Sequence, residues 1–199
     1  MKRNSLWALG VSLSLAGSAF GLNIGDKAPS TTVKMKNVDG KEVAIADVTG
    51  KNGTLVVFSC NHCPFAKAWQ DRIAAIGNSG KDKGVGVIVI NSNDPTDYPE
   101  DSYAEMHKRA QKLGFTFPYV VDATSDVARA FGATRTPEAF LFDKDGKLVY
   151  HGAIDDSQDV GAVKAHFLQD AITASTAGQA VPVKETKFVG CGIKFHAKT

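Results

Sequence analysis

LVVFSCNHCP, residues 55–64, carries a continuous apolar run directly into two cysteines separated by two residues. An apolar, β-rich run without alternating polar positions is typical of a strand buried on both faces, and so of a parallel sheet covered by helices. Beyond it, apolar residues recur at helical spacing from Cys63 to about Ile76, and Pro64 suits a first helical turn, where its missing N–H costs little. The sequence therefore predicts an α/β fold with the two thiols at a strand-to-helix junction.

The placement of these two cysteines favours redox chemistry. A thiol reacts as its thiolate, and the unpaired N–H groups and positive dipole end of a helix start stabilise that anion. We therefore predict that Cys60 is the catalytic nucleophile and that Cys63 is its resolving partner. A structural disulfide and half of a metal site remain as alternatives.

The remaining patterns continue the alternation of strands and helices. They predict, in order, a hairpin of residues 31–35 and 42–45, a strand over 85–90, a helix over 102–113, a strand over 117–121, a helix over 125–131, a hairpin of residues 139–142 and 147–150, and a final helix over 160–174. Alternation of this kind implies a right-handed parallel unit with helices on both faces of the sheet. Because loops at the carboxyl ends of parallel strands line one crevice, four segments are expected to surround a common site. They are residues 60–63, residues 91–101, the region of Asp122 and the turn over 135–137.

The first 21 residues are typical of an export signal. Lys2 and Arg3 precede an apolar stretch over 6–15 and a small-residue segment that ends near Gly21. The alternative is an uncleaved membrane anchor, although the apolar run is shorter than the roughly 20 residues that a bilayer core requires. We predict cleavage near Gly21 and localisation in the periplasm or cell envelope, with membrane contact only through the signal.

Composition bounds the domain organisation and the partners. Removing the signal leaves 21 basic and 21 acidic residues, so there is no basic excess and no nucleic-acid partner is expected. Residues 22–174 suit one domain with a sizeable core. Periodicity fades over residues 175–199, which are predicted to form a C-terminal tail packed on or trailing from that domain. Disulfides persist in an exported protein, which gives weight to its three cysteines.

Three motifs resemble those of a known family. Cys-Asn-His-Cys-Pro-Phe at 60–65, Ile-Asn-Ser-Asn-Asp at 90–94 and Gly-Cys-Gly-Ile-Lys at 190–194 occur together in redoxin and peroxiredoxin-like proteins of the AhpC/TSA-related thioredoxin family. The resemblance implies a thioredoxin-like fold, with a central mixed sheet flanked by helices, an N-terminal β-hairpin and a C-terminal tail. It also implies that Pro137 is a cis proline and that Thr136 and Pro137 face the disulfide and bind substrate.

The same resemblance separates two redox functions. Peroxiredoxins place their peroxidatic cysteine in a Pro-x-x-x-Thr/Ser-x-x-Cys motif and use a distant arginine. Here Gly53 and Val57 occupy the diagnostic positions before Cys60, and Pro137 stands where the arginine would align. We therefore predict a thiol-disulfide oxidoreductase of the cell envelope that acts on protein or small-molecule disulfides, has an unidentified redox partner and needs no cofactor. A thiol peroxidase with antioxidant activity is the alternative.

Two residues near the dithiol have open roles. His62 is predicted to tune the thiol pKa if it is cationic or donates to Cys60, and is otherwise a histidine exposed at the helix start. Cys191 is a possible auxiliary thiol that exchanges with the active pair, or a thiol with no catalytic part. A third function, a non-catalytic metal-handling module, would join Cys60, Cys63 and Cys191 to His196, although we predict no metal.

Overall fold

A computed structural model describes residues 21–198 of the chain. The predicted export signal therefore falls, apart from Gly21, outside the described residues. Within residues 21–198, no helix combines the length and the apolarity needed to cross a bilayer.

After an initial hairpin, strands and helices alternate along the described chain. The strands are β1 (Met35–Asn37), β2 (Glu42–Val43), β3 (Gly53–Phe58), β4 (Val85–Asn91), β5 (Tyr119–Val121), β6 (Arg135–Thr136), β7 (Glu138–Asp143), β8 (Leu148–Gly152) and β9 (Cys191–Gly192). The helices are α1 (Pro64–Gly80), α2 (Tyr103–Leu113), α3 (Asp126–Phe131) and α4 (Phe167–Thr176). Short 3-10 turns, at Pro99–Asp101 and Val160–Ala162, precede α2 and α4.

Seven strands form one mixed sheet in the order β2-β1-β5-β4-β3-β7-β8. β4 and β5 are parallel, whereas β7 is antiparallel to both of its neighbours. The two halves of the sheet meet where the Ser59 N–H, just after β3, donates to the Ile90 carbonyl of β4 at 2.9 Å. Every residue of β3 is buried, as its apolar run indicates. This mixed sheet with flanking helices confirms the predicted α/β, thioredoxin-like class.

Apolar residues fill both faces of the sheet. On one face, α1, α2 and α4 contribute Trp69, Met106 and Leu168 to a common buried cluster. On the other face, α3 contributes Phe131, which packs edge-to-face against Phe58 and Phe140 with ring centroids 5.3 Å apart in each pair. The carboxyl end of β3, where the dithiol begins, is thus held between two packed layers.

Two elements begin four or more residues after their predicted start. The first hairpin strand, expected from residue 31, begins at Met35, and the final helix, expected from residue 160, begins at Phe167. In the second case local hydrogen bonds compete with the helix, because Asp159 accepts from the Gly161 N–H and Asp156 accepts from the Lys164 N–H. Residues 160–162 therefore form a 3-10 turn.

The C-terminal tail packs on the domain and returns to its active end. It first runs beside β8, where the His151 N–H donates to the Lys184 carbonyl at 2.9 Å and the Thr186 N–H donates to the His151 carbonyl at 3.1 Å. Its strand β9 then pairs antiparallel with β6, with Cys191 opposite Thr136. The two-residue strand β9 was not predicted, since so short a segment carries no periodicity.

Candidate active site

The dithiol lies where the sequence places it, between β3 and α1. α1 begins at Pro64 and Cys63 is its N-cap residue, so the helix start acts most directly on Cys63. Both cysteines are buried, with exposed fractions of 3% for Cys60 and 0% for Cys63. Together with Cys191 they carry free thiols.

Thr136 contacts both sulfur atoms of the pair. The Cys60 Sγ lies 3.1 Å from the Thr136 Oγ1, and the Cys63 Sγ lies 3.3 Å from the Thr136 carbonyl oxygen. The peptide bond between Thr136 and Pro137 is cis. The turn over 135–137, carried over from the resemblance, is thus brought directly against the dithiol.

The two sulfurs of the pair differ in their electrostatic surroundings. The Cys60 thiol, then the Cys191 thiol and the Ala66 N–H, lower the pKa of Cys63 from 9.0 to about 4, against the effect of burial. The pKa of Cys60 is raised, first by its hydrogen bond with Cys63, then by burial and by the negative charge of Asp101. The two sulfurs therefore share one proton as a coupled pair, and Cys63 is the more readily ionised of the two.

The carboxylate of Asp101 fastens the loop between the two cysteines. Its Oδ1 accepts from the Asn61 N–H at 2.6 Å and from the His62 N–H at 3.1 Å. Its Oδ2 accepts from the Asn93 amide at 2.8 Å and pairs with the His62 Nδ1 at 2.5 Å. Asp101 is only 3% exposed, and four groups from these three residues satisfy a carboxylate that is hidden from water.

The ring of His62, the predicted pKa-tuning residue, pairs with the Asp101 carboxylate. Its ring also stacks on Tyr98, with centroids 4.1 Å apart. Ligand atoms of Cys60, His62 and Asp101 lie within 4.8 Å of one another, so the ring is close to the nucleophile predicted from the sequence. Any positive charge on His62 faces a carboxylate first, which weakens its effect on the Cys60 thiolate.

Of the four metal ligands considered from the sequence, the structure brings the three cysteines together and places the histidine elsewhere. Cys60 and Cys63 form one apolar cluster with Ala66, and Cys191 packs against that cluster. His196 instead lies 3.5 Å from Asp94, and its N–H donates to the Ser125 hydroxyl. The cysteines are brought together, but the histidine belongs to another part of the tail.

Cys191 occupies the surface side of this cluster. It is partly exposed, unlike the two cysteines of the dithiol. Burial raises its pKa to about 11, the Cys63 thiolate adds to the rise, and Lys194 and Arg135 oppose it. The tail thus supplies a third thiol next to Cys63.

A groove of about 270 Å³ extends from Pro137. Its lining includes Trp69, Ile154, Phe188 and Val189, so it is largely apolar. A groove that begins at the cis proline offers a place for an extended chain carrying a disulfide or a thiol.

Sequence reasoning missed two buried carboxylates that shape the site. Asp101 fastens the CxxC loop, and Glu138 accepts from the backbone N–H groups of Thr134 and Arg135 while its other oxygen lies 2.8 Å from the His151 Nε2. Glu138 was detectable as the one charged residue between Pro137 and the apolar run of β7. Asp101 is one of several acids in a polar loop, and only its fold position distinguishes it.

Known proteins share this architecture. A thiol-disulfide oxidoreductase ResA from Geobacillus thermodenitrificans is 27% identical over 127 residues, which are 63% of this chain and 66% of that protein. An uncharacterised conserved protein from Geobacillus kaustophilus has a solved structure with a TM-score of 0.82 and 39% identity, covering 89% of this chain and 94% of that one. A hypothetical protein from Sinorhizobium meliloti matches with a TM-score of 0.82 and 30% identity, covering 89% and 97%.

The mixed sheet, the dithiol before α1 and the facing cis proline define a thioredoxin-like protein with a CxxC site. The chain belongs to the AhpC/TSA family, whose model matches residues 24–151. The family expectation drawn from the three motifs is confirmed.

Proposed function

We propose that the protein exchanges disulfides in the cell envelope through Cys60 and Cys63, with Thr136 and Pro137 aligning the substrate. The observation that carries the proposal is the contact of both sulfurs with Thr136, at 3.1 Å and 3.3 Å, beside the cis bond. Membership of the AhpC/TSA family and the ResA relatives support it.

The arrangement supplies a path for the proton in the first step. The two sulfurs share one proton, which can lie on Cys60. When this proton passes to Cys63, the Thr136 hydroxyl can donate to the new Cys60 thiolate, and the Cys63 S–H can donate to the Thr136 carbonyl. Both positions of the proton have a hydrogen-bond partner, so the shared proton can leave Cys60 as that sulfur attacks.

Disulfide exchange then follows in two displacements. The Cys60 thiolate attacks one sulfur of the substrate disulfide, forming a mixed disulfide and releasing the other substrate sulfur as a thiolate. Cys63 gives its proton to that leaving thiolate and attacks the Cys60 sulfur, which releases the second substrate thiolate and closes the Cys60–Cys63 disulfide. The substrate gains two electrons and the enzyme loses them; the same steps in reverse oxidise a substrate dithiol.

The lowered pKa of Cys63 influences whether the protein preferentially oxidises or reduces its substrate. A stabilised thiolate favours the reduced enzyme, which makes its disulfide a better oxidant than one between two ordinary thiols. We propose that the disulfide form readily accepts electrons from substrate thiols.

Location in the envelope rests on the first 21 residues. Lys2, Arg3 and the apolar stretch over 6–15 support export. N-terminal sequencing of the protein recovered from the periplasmic fraction is expected to begin near Leu22; recovery of the intact N-terminus from the membrane would favour the anchor instead.

Redox titration with glutathione tests the exchange function. The reduced protein is expected to form a Cys60–Cys63 disulfide while it reduces glutathione disulfide to two molecules of glutathione, and reduced glutathione is expected to reverse the reaction. Cys60→Ser is expected to abolish exchange, whereas Cys63→Ser is expected to accumulate a mixed disulfide on Cys60, because the resolving thiol is gone. Absence of the internal disulfide in the wild type, with no exchange, would overturn the proposal.

Two alternatives have less support. Peroxidase activity needs an arginine at the reacting sulfur, but the Arg135 guanidinium donates to the Gly190 carbonyl in the tail. Oxidation by hydrogen peroxide no faster than that of free cysteine would exclude it. A metal-handling role is disfavoured because both oxygens of Asp101 already accept hydrogen bonds and His196 lies beside Asp94.

A further inference from the structure

Three thiols meet at the active end, although disulfide exchange with a substrate requires only two. Cys191 packs against the cluster of Cys60, Cys63 and Ala66, and its strand pairs with the strand that carries Thr136. The Cys191 thiol is within hydrogen-bond reach of the Cys63 sulfur and has no such contact with Cys60, so Cys191 approaches the dithiol from the Cys63 side.

Several contacts fix the tail in this position. The Ile193 N–H donates to the Thr134 carbonyl at 2.9 Å, and the Ile193 side chain is buried. Gly190 lies so close to β6 that a Cβ there would stand 2.4 Å from the Thr136 carbonyl oxygen. The tail can therefore pair at this point only because residue 190 has no side chain.

The three thiols also differ in access. Cys60 and Cys63 are closed off from solvent, and Cys191 is partly exposed. A second redox partner that approaches from the tail side would meet the Cys191 sulfur before either sulfur of the pair.

We propose that Cys191 is a third redox thiol. It displaces Cys60 from the Cys63 sulfur and presents the resulting Cys63–Cys191 disulfide to a second dithiol or disulfide partner. This inference rests on the proposed exchange function and adds a second exit for the disulfide. Substrate exchanges at Cys60, and the second partner exchanges at Cys191.

The relay consists of balanced exchange steps. The Cys191 thiolate attacks the Cys63 sulfur of the Cys60–Cys63 disulfide; the Cys63–Cys191 bond forms, and Cys60 leaves as a thiolate that takes up the proton lost by Cys191. No net oxidation occurs in this step. A partner thiolate then attacks the exposed Cys191 sulfur, Cys63 leaves as a thiolate, and the partner's second thiol completes its own disulfide.

The charges near Cys191 suit such a relay. The Cys63 thiolate helps to raise the pKa of Cys191, but that charge disappears when Cys63 is in a disulfide, while Lys194 and Arg135 remain. Cys191 is therefore easier to ionise in the oxidised enzyme, when it must attack. In the last step Cys63, which has the lowest thiol pKa of the three, is the preferred leaving group.

Disulfide mapping in single-cysteine variants tests the relay. On mild oxidation with glutathione disulfide, Cys60→Ser is expected to form the Cys63–Cys191 disulfide within one molecule. Cys63→Ser is expected to form a Cys60–Cys191 disulfide about tenfold more slowly or not at all, because Cys191 lies on the Cys63 side. Failure of the first bond, or equal yields in the two variants, would overturn the proposal.

A glycine pair gives a matched control that keeps every thiol. In the Cys60→Ser background, Gly190→Ala is expected to slow formation of the Cys63–Cys191 bond by about tenfold, because displacing a reacting group by about 1 Å is costly. Gly192→Ala should leave it unchanged, since its nearest neighbour would lie 3.9 Å away. Equal rates in the two variants would contradict the role of the tail.

A third variant separates this inference from the proposed function. Cys191→Ser retains the dithiol and is expected to form the Cys60–Cys63 disulfide. If it does so while Cys60→Ser fails to form Cys63–Cys191, the relay is wrong and the exchange function stands. If Cys191→Ser cannot form the Cys60–Cys63 disulfide although it is folded by circular dichroism, the proposed function itself fails.

Discussion

The pKa of Cys63 is lowered because hydrogen-bond donors converge on its sulfur. The Cys60 thiol contributes most, and the Ala66 N–H in the first turn of α1 adds to it. At Cys60, burial and the charge of Asp101 oppose ionisation. The chemical difference between two identical side chains is thus set by their neighbours a few ångströms away.

Replacing Cys60 tests this assignment. Cys60→Ala removes the main donor, so the pKa of Cys63 is expected to rise from about 4 towards its ordinary value of 9.0. Titration of the ultraviolet absorbance of the thiolate measures it. Cys60→Ser is the control, since its hydroxyl can still donate and should leave the pKa lower than in the alanine variant. An unchanged pKa in Cys60→Ala would contradict the proposed hydrogen bond.

At this scale the sequence predicts residues that belong to motifs and misses those that depend on tertiary position. Cys60 and Cys63 were predicted from their spacing and their flanking runs, and Pro137 was predicted from the family resemblance. Asp101 and Glu138 were missed because their roles come from backbone N–H groups that distant segments bring to them.

Among the elements, the 3-10 turn Pro99–Asp101 has the most direct influence on the dithiol. It comes at the end of the polar loop after β4 and delivers Asp101 to the N–H groups of Asn61 and His62. The loop that follows one strand therefore fixes the loop that follows its neighbour, as expected at the carboxyl edge of a parallel pair.

Asp101→Asn is expected to loosen this contact and to change the chemistry of Cys60. An amide offers one acceptor oxygen where the carboxylate offers two, so buried donors lose partners and the free energy of unfolding should fall by about 2 kcal/mol. Loss of the negative charge should lower the pKa of Cys60. Urea unfolding measures the first effect, and the pH midpoint of Cys60 alkylation, followed by mass spectrometry, measures the second.

The exposed Asp97 in the same loop provides the comparison. Asp97→Asn removes an equal charge without disturbing the CxxC loop. It should change neither the free energy of unfolding nor the pKa of Cys60 appreciably. A pH midpoint that rises in Asp101→Asn, or that moves equally in both variants, would be inconsistent with the assigned electrostatics.

Elements with strong apolar patterns were predictable, and short elements were not. β3, β4, α1 and α2 follow apolar runs or helical periods that extend over several residues. β9 has two residues, and its pairing with β6 depends on the missing side chain of Gly190. The close approach of two backbones depends on the tertiary structure. Its only trace in the sequence is a glycine, which does not identify the segment that it approaches.

For the whole molecule, the lowered pKa of Cys63 makes the stability of the reduced protein depend on pH. Between about pH 4 and 9.0 the native state binds fewer protons at Cys63 than the unfolded state does, so the free energy of unfolding should increase as pH rises. Cys60, whose pKa is raised, is protonated in both states below its ordinary pKa and does not oppose this slope there. The contribution is lost as pH falls through about 4.

Oxidation should remove this dependence. The disulfide closes a loop of two intervening residues, which contributes about 2 kcal/mol at any pH, and its sulfurs do not titrate. Urea unfolding of reduced and oxidised protein at about pH 5 and about pH 8 should show the reduced form gaining stability over the oxidised form with pH. A difference that stays constant, or that shrinks with pH, would place the thiolate elsewhere.

The tail beside β8 has a consequence for the behaviour of the protein in concentrated solution. β8 is the last strand of the sheet, and a strand in that position can template pairing with another chain. Lys184 and Thr186 instead bond to the backbone of His151, so the end of the sheet is partly covered from within the molecule. Proteolytic loss of residues beyond about 183 would uncover it, and the tail therefore protects the protein against aggregation as well as carrying Cys191.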